Sequence, residues 1–420
     1  MRHGQGKTDV KLERPAPSLA LAAHDAATSA ATTLSPARRA AVAPFIAMEV
    51  LSQAGAIEAK GGSVVHMELG EPGAPAPRLA REAAKRAIDQ GRIGYTPALG
   101  LPSLRERIAR HYHDLYGLRL DPTRIAVTTG SSAGFILAFL ACFDAGDRVA
   151  IASPGYPAYR NILEALGIEP VIIETGPADR WAITPQAILA AHAQKPLKGV
   201  LVMSPANPTG VMMGATALAA LAETCNAQGL WFVSDEIYHG LTYEGPATSA
   251  LTSAPQAIVV NSLSKYFCMT GWRIGWLVLP EHLVRPVERL AQNLFISPPY
   301  ISQVAAEAAF EATAELEAVK AGYAQSRALL LEALPRLGFT ELLPVDGAFY
   351  AYGNVSRLSN DSVEFCRRAL VEAGVAITPG LDFDRERGGN YVRLSFAGSP
   401  ENVRDGVKRL ESWLKHKGRA

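Results

Sequence analysis

The sequence has no apolar run approaching the ~20 residues that a membrane-spanning helix requires, so no membrane segment is expected. It also has no surplus of charge. Lys plus Arg number 41 against 40 for Asp plus Glu, which leaves no electrostatic footprint for nucleic acid or an anionic lipid surface. Cysteine is scarce. Cys142, Cys225, Cys268 and Cys366 are too far apart for a metal site and show no pairing pattern, which reads as reduced thiols in a cytoplasmic protein. Cys268 follows Lys265 by three residues and is read as a small buried filler. His111 and His113 are two apart, so they do not share a helix face, and neither a zinc spacing nor a Ser-His-Asp signature is present. No metal is expected.

What is there suits a compact α/β protein. The chain has 420 residues and is 48% hydrophobic, enough for a large domain with a smaller partner. Residues 1–33 are rich in Ala, Ser, Thr and charge, and Leu19 to Ala23 is too short for a signal-peptide core, so a disordered extension is expected there. Helical spacing follows from about Ala41 to Lys60, then a short strand over Val64 to Leu69, then helices over Pro77 to Gln90 and Leu104 to Tyr116.

From about Arg124 the texture changes. Apolar β-type runs at Ile125–Thr129, Arg148–Ala152, Val171–Glu174, Val200–Met203, Leu230–Ser234 and Ile258–Asn261 alternate with helical patterns at Ser132–Phe143, Tyr156–Leu166 and Thr216–Gln228. Strands apolar on both faces and separated by helices predict a mostly parallel sheet covered on both sides. Arg273 to Leu279 reads as an added strand of undetermined direction. Beyond Leu283 helices dominate, with Tyr300 to Leu334 the longest. Strands at Gly347–Tyr352 and Tyr391–Phe396 and a helix at Ser399–Lys417 complete a small α+β unit. The expected division is an extension (1–33), an arm and part of a small domain (34–79), a large domain (80–310) and a C-terminal small domain (311–420).

The chemistry gathers at strand ends, where ligands bind in parallel sheets. Ser262-Leu263-Ser264-Lys265, with Arg273 eight residues further on, sets a lysine beside hydroxyls and a guanidinium. Such a lysine can form an imine with an aldehyde cofactor while the hydroxyls and the arginine hold its phosphate. Gly130-Ser131-Ser132 opens a helix after a strand, which is either an ordinary N-cap or an anion site. Asn207-Pro208-Thr209-Gly210 is a turn, or offers the Asn207 amide to a ligand. Asp235 is an N-cap, or the partner of a protonated ring nitrogen, with Tyr238 three residues on. Tyr156 packs in the core or stacks on a flat ring. Arg393, in a late strand, carries the bidentate fork that suits a carboxylate.

In order and spacing, Gly70-Glu71-Pro72, Tyr95-Thr96-Pro97, Gly130-Ser131-Ser132, Tyr156, Asn207-Pro208-Thr209-Gly210, Asp235-Glu236-Ile237-Tyr238, Ser262-Leu263-Ser264-Lys265, Arg273 and Tyr391-Val392-Arg393 resemble the class I/II aminotransferases. These are the fold-type-I pyridoxal 5'-phosphate enzymes of the aspartate aminotransferase superfamily. The resemblance runs from about residue 34 to the end and implies transamination between an L-amino acid and a 2-oxo acid. It implies that Lys265 is the Schiff-base lysine and proton shuttle, that Asp235 pairs with the ring nitrogen, and that Asn207 and Tyr238 bond the phenolic oxygen. Ser131, Ser132, Ser262, Ser264 and Arg273 would serve the phosphate end and Tyr156 the ring face. Gly70, Asn207 and Arg393 would bind the substrate carboxylate. Tyr95 would reach the phosphate of a neighbouring subunit, making a homodimer with shared sites. Relatives that take dicarboxylates often have a basic residue where this chain has Ser131-Ser132, so a neutral or aromatic donor is expected over aspartate. Two other readings share the scaffold or its parts. A β-eliminating lyase or aminocyclopropane-forming synthase starts with the same Cα deprotonation. A non-catalytic regulator would need a DNA-binding module ahead of the large domain, and residues 1–33 show no basic recognition helix.

Overall fold

A computed structural model describes residues 35–342 and 345–416, so the extension expected over residues 1–33 lies outside the described residues. The strands before residue 280 are β1 (Val65–His66), β2 (Ile125–Thr128), β3 (Arg148–Ser153), β4 (Glu169–Glu174), β5 (Gly199–Met203), β6 (Trp231–Asp235), β7 (Ile258–Ser262) and β8 (Gly275–Val278). Strands β2 to β8 form a seven-stranded sheet in the order β2-β8-β7-β6-β5-β3-β4. Pairing is parallel from β4 through β7, and β8 runs antiparallel to both β7 and β2. This settles the direction that the sequence leaves open for Arg273 to Leu279.

The continuous apolar runs have a direct cause. Both faces of the sheet are buried, so successive side chains enter different cores. Ile125, Val127, Val200 and Val259 lie in one, and Ala126, Leu201, Val233 and Val260 in the other. Each fully buried aliphatic side chain contributes about 1.5–3 kcal/mol, which is why these strands hold as a rigid platform.

The second unit contains β9 (Tyr350–Asn354), β10 (Val375–Ala376), β11 (Thr378–Pro379) and β12 (Tyr391–Ser395). β11, β12 and β9 make an antiparallel sheet. β1 pairs in parallel with β10 and ties the N-terminal arm to the C-terminal part of the chain. Val65 and Met67 share a core with Val375, Phe396 and Leu410. The fold is therefore a large α/β layer structure with a small α+β unit fed by both ends of the chain.

Three elements differ from the sequence reading. The long helix over Tyr300 to Leu334 is two helices, Tyr300–Ala309 and Thr313–Arg336. The chain breaks between them where Phe310 turns inward to meet Phe267, ring centroids 4.8 Å apart. The strand expected from Gly347 begins at Tyr350, because Gly347 bridges to Thr242 and Ala348 takes a positive φ of 58°. A helix at Pro185–Gln194 carries no assignment in the sequence reading. Its run is diluted by alanine, and only Ile188 is buried. No described helix is long and apolar enough to cross a membrane. The four cysteines are free and buried. No metal-ligating cluster occurs among the described residues.

Candidate active site

The residues singled out by chemistry sit where the parallel strands end. Asp235 is the last residue of β6, Ser262 the last of β7, and Asn207 follows β5 by four residues. Tyr156 precedes the helix Pro157–Ala165, just beyond β3. Arg393 comes from β12 of the small unit and closes over the edge of the large sheet. Between them lies a cavity of about 240 Å³. Gly70, Ser131, Ser132, Tyr156, Asn207, Asp235, Tyr238, Ser264, Lys265, Arg273 and Arg393 line it.

Two expected residues stand elsewhere. Ser262 is buried one step behind the wall, where its Oγ accepts from the Ser264 N–H at 3.0 Å. Tyr95 is 88% exposed and lies outside the lining of this cavity.

The phosphate end is shaped by a glycine. Gly130 has φ +73°, and a Cβ there would meet Arg273 Nη2 at 2.3 Å, so the guanidinium lies directly over the start of the helix Gly130–Cys142. Arg273 is itself left-handed at φ 55° and donates from Nη1 to the Thr270 carbonyl at 2.9 Å. The helix N-terminus, with Ser131 and Ser132 in its first turn, thus presents N–H groups and hydroxyls beneath a fixed cation.

At the other end, Lys265 Nζ donates to the Gly70 carbonyl at 2.6 Å. Burial lowers the lysine to about 8, the nearby Arg393 and Arg273 add to this, and Glu71 and Asp235 oppose it. Asp235 moves the opposite way. Burial raises it to about 7, while hydrogen bonds from Tyr159 and the Ile237 N–H and the field of Lys265 pull it back. Tyr159 donates its hydroxyl to Asp235 Oδ2, and Ile237 N–H donates to Oδ1 at 3.0 Å. Burial raises Tyr156 to about 12, with further upward pushes from Tyr350 and Asp235.

Arg393 is buried and well held. Nη1 donates to Asn207 Oδ1 at 3.0 Å, and Nη2 donates to the Glu68 carbonyl and to Thr378 Oγ1. Its guanidinium carbon lies 4.4 Å from the Tyr350 ring centroid and 4.6 Å from that of Phe383. Its Nε is buried and has no hydrogen-bond partner among the described residues. A buried cationic donor without an acceptor is costly, and a bound carboxylate would relieve it.

Sequence reasoning missed several wall residues. Phe45 and Met48 reach the cavity from the start of the helix Ile46–Glu58. That end is fixed by Asp382, which accepts from the Ile46 and Ala47 N–H groups at 3.1 and 3.3 Å. Tyr350 lines the cavity, and its hydroxyl is 2.7 Å from that of Tyr238. Tyr159 lies one helical turn beyond Tyr156, a spacing that could have flagged it. The histidine and glutamate beside Tyr238 are structural. His239 bonds Tyr116 and the Ser204 carbonyl, and Glu236 accepts from Ser249 and the Ala250 N–H.

Lys265, Asp235 and Arg273, at the C-terminal edge of the large sheet, thus meet Arg393 of the small unit in one cavity. Residues 64–410 match the family described as aminotransferase class I and II, and the chain belongs to that family. It is 50% identical over 382 residues to a valine–pyruvate aminotransferase of Mycobacterium tuberculosis, covering 90% of this chain and 98% of the relative. It is 36% identical over 385 residues to an aspartate/prephenate aminotransferase of Thermus thermophilus, covering 90% and 98%. Among solved structures, an aminotransferase from Mycobacterium tuberculosis superposes with a TM-score of 0.89 at 48% identity, covering 92% of this chain and 100% of that one. The aspartate aminotransferase of Thermus thermophilus with maleate gives 0.85 at 34%, covering 90% and 99%.

Proposed function

We propose that the protein transfers the amino group of a neutral or aromatic L-amino acid to a 2-oxo acid, with pyridoxal 5'-phosphate held covalently at Lys265. The observation that carries this reading is the convergence of Lys265, Asp235, Arg273 and Arg393 on one cavity. The residues fit the cofactor. The cradle that a Cβ at Gly130 would fill suits a phosphate under Arg273. Asp235, raised to about 7 by burial, would be held ionised by a cationic ring nitrogen beside it. Asn207, Tyr238 and Tyr156 line the same cavity, where the first two would bond the phenolic oxygen and Tyr156 would face the ring.

When bound, the cofactor supplies an electron-accepting ring that acidifies the Cα–H of an attached amino acid. The chain's own residues do the rest. Lys265 Nζ, partly deprotonated near neutral pH, would take the proton from Cα and deliver it two atoms along, at C4′ of the cofactor. Arg393 holds the α-carboxylate, with Nε as the free donor. Phe45 and Met48 shield the site from water on the arm side.

The donor preference rests on the walls. Phe45, Met48, Phe135 and Ile237 are apolar, and the lining cations among the described residues are Lys265, Arg273 and Arg393, which the cofactor and the α-carboxylate would occupy. The relative named for valine and pyruvate points the same way. A homodimer completes the reading. Tyr95, Ile93, Leu294 and Ile296 are exposed. Thr96 N–H donates to Ser297 Oγ at 3.4 Å and ties the two segments together, and these exposed apolar side chains would be covered by a second copy.

The test is a half-reaction. The cofactor-loaded enzyme, given valine, phenylalanine or aspartate and no 2-oxo acid, should release one equivalent of the matching 2-oxo acid per site, fastest with a neutral or aromatic donor. Steady ammonia release would instead mark a lyase, and a faster reaction with aspartate would overturn the donor assignment.

A further inference from the structure

We propose that Tyr350 is a positioning residue for the transfer reaction: its hydroxyl fixes the direction in which Tyr238 donates its proton, and its ring seats Arg393. The inference rests on the role proposed above for Tyr238.

Tyr350 opens β9 and touches three separate parts of the site. Its hydroxyl oxygen is 2.7 Å from that of Tyr238, and both side chains are buried. The same hydroxyl presses on Gly70, where a Cβ would come within 1.7 Å of it. Gly70 in turn accepts from Lys265 Nζ at 2.6 Å. The Tyr350 ring lies 4.4 Å from the Arg393 guanidinium carbon, and β9 is paired to β12, which carries that arginine.

A phenol has one proton and two lone pairs. In a pair of phenols this close, one donates and the other accepts. Tyr238 can aim its proton at a bound phenolic oxygen only if Tyr350 supplies the proton between the two tyrosines. Tyr350 is then committed to Tyr238, which is its hydrogen-bond partner among the described residues. Charged and titratable groups approach the pair from every side: Lys265 beyond β7, Arg393 on β12, Asp235 at the end of β6, and Tyr156 beyond β3. Burial raises Tyr350, against the field of Arg393, so it keeps its proton and acts as a phenol throughout. A donated bond at the Tyr238 oxygen also makes its own proton a better donor, because chained hydrogen bonds reinforce each other. The adjacent Phe349 fills the core with a ring of the same size and no hydroxyl, which marks the hydroxyl of Tyr350 as the distinguishing group.

The experiment is a pH titration of the visible absorbance of the pyridoxal phosphate-loaded enzyme. Tyr350→Phe keeps the ring and deletes the hydroxyl. The titration midpoint should rise by roughly 0.4–1 pH unit, the equivalent of one neutral hydrogen bond, because the bound phenolic oxygen then keeps its proton more readily. Tyr238→Phe should raise the midpoint further, and the double variant should add nothing to it. KM for the amino donor should stay near wild type in Tyr350→Phe and rise in Tyr350→Leu, which removes the ring from Arg393. Gly70→Ala reaches the same hydroxyl from the opposite side and should shift the midpoint upward even where a Tyr350 variant folds poorly. If Tyr238→Phe moves the midpoint while Tyr350→Phe and Gly70→Ala leave it in place, the proposal is wrong and the proposed function stands. If Tyr238→Phe itself moves nothing, the role of Tyr238 is wrong and the proposal falls with it.

Discussion

Tyr159 donates its hydroxyl proton to the carboxylate of Asp235, and both side chains are buried. The tyrosine packs edge-on against Phe135 and Tyr156, with ring centroids 5.1 and 5.3 Å away, which leaves it little freedom to turn aside. It is therefore a fixed donor to the group proposed to pair with the ring nitrogen. Tyr159→Phe should weaken cofactor binding by about 10-fold or more, the worth of a hydrogen bond to a charged group. Equilibrium titration of the cofactor-free protein with pyridoxal phosphate measures this, and an unchanged Kd would remove Tyr159 from the site.

Asp235 also sets how the cofactor-free protein responds to pH. Burial raises it from 3.8 to about 7. A carboxyl raised in the fold makes its full contribution to stability below about pH 4, where both states are protonated, and that contribution is lost as pH climbs from about 4 to about 7, where the unfolded chain is ionised and the fold still holds the proton. Above that, the fold carries a buried ionised carboxylate. Asp235→Asn should therefore stabilise the cofactor-free protein at about pH 8 by about 1–3 kcal/mol, and give little gain near pH 5. Denaturant melts at the two pH values check the sign. Greater wild-type stability at the higher pH would contradict it.

Lys265 is lowered to about 8, so its free amine grows by ~10-fold between about pH 7 and 9 and then levels off. The rate at which cofactor-free enzyme captures pyridoxal phosphate, followed by stopped-flow absorbance, should trace that curve. A rate still climbing steeply above about pH 10 would indicate an ordinary exposed lysine.

Arg393→Lys keeps the charge and loses the planar fork, including the buried Nε. The change should cost about 1.5–3 kcal/mol in kcat/KM for the amino donor and leave cofactor affinity nearly unchanged. Release of the cofactor with unchanged substrate recognition would reverse the assignment.

Much of this was legible in the sequence because the large sheet is buried on both faces. Its strands read as uninterrupted apolar runs, and polar residues just past them mark the ligand edge. Lys265, Asp235, Asn207 and Arg273 follow from that rule and from local motifs. The direction of β8 was not legible, since direction depends on which strands it meets. Phe45 and Met48 were not legible either. Their helix is set by Asp382, 336 positions from Ile46, and no local pattern carries that contact. Tyr350 lies within a segment read as a strand, but its meaning depends on Tyr238, 112 positions earlier. Local chemistry named groups that meet in one cavity, and the further residues that line it emerged only with the tertiary structure.

The central claim is that Lys265 holds the cofactor. Borohydride reduction of the pyridoxal phosphate-loaded enzyme, followed by peptide mapping, tests it most directly. One pyridoxyl group per chain should appear on the peptide containing Ser264-Lys265-Tyr266 and be absent in Lys265→Ala. Label on a different lysine, or the same labelling in Lys265→Ala, would contradict the account.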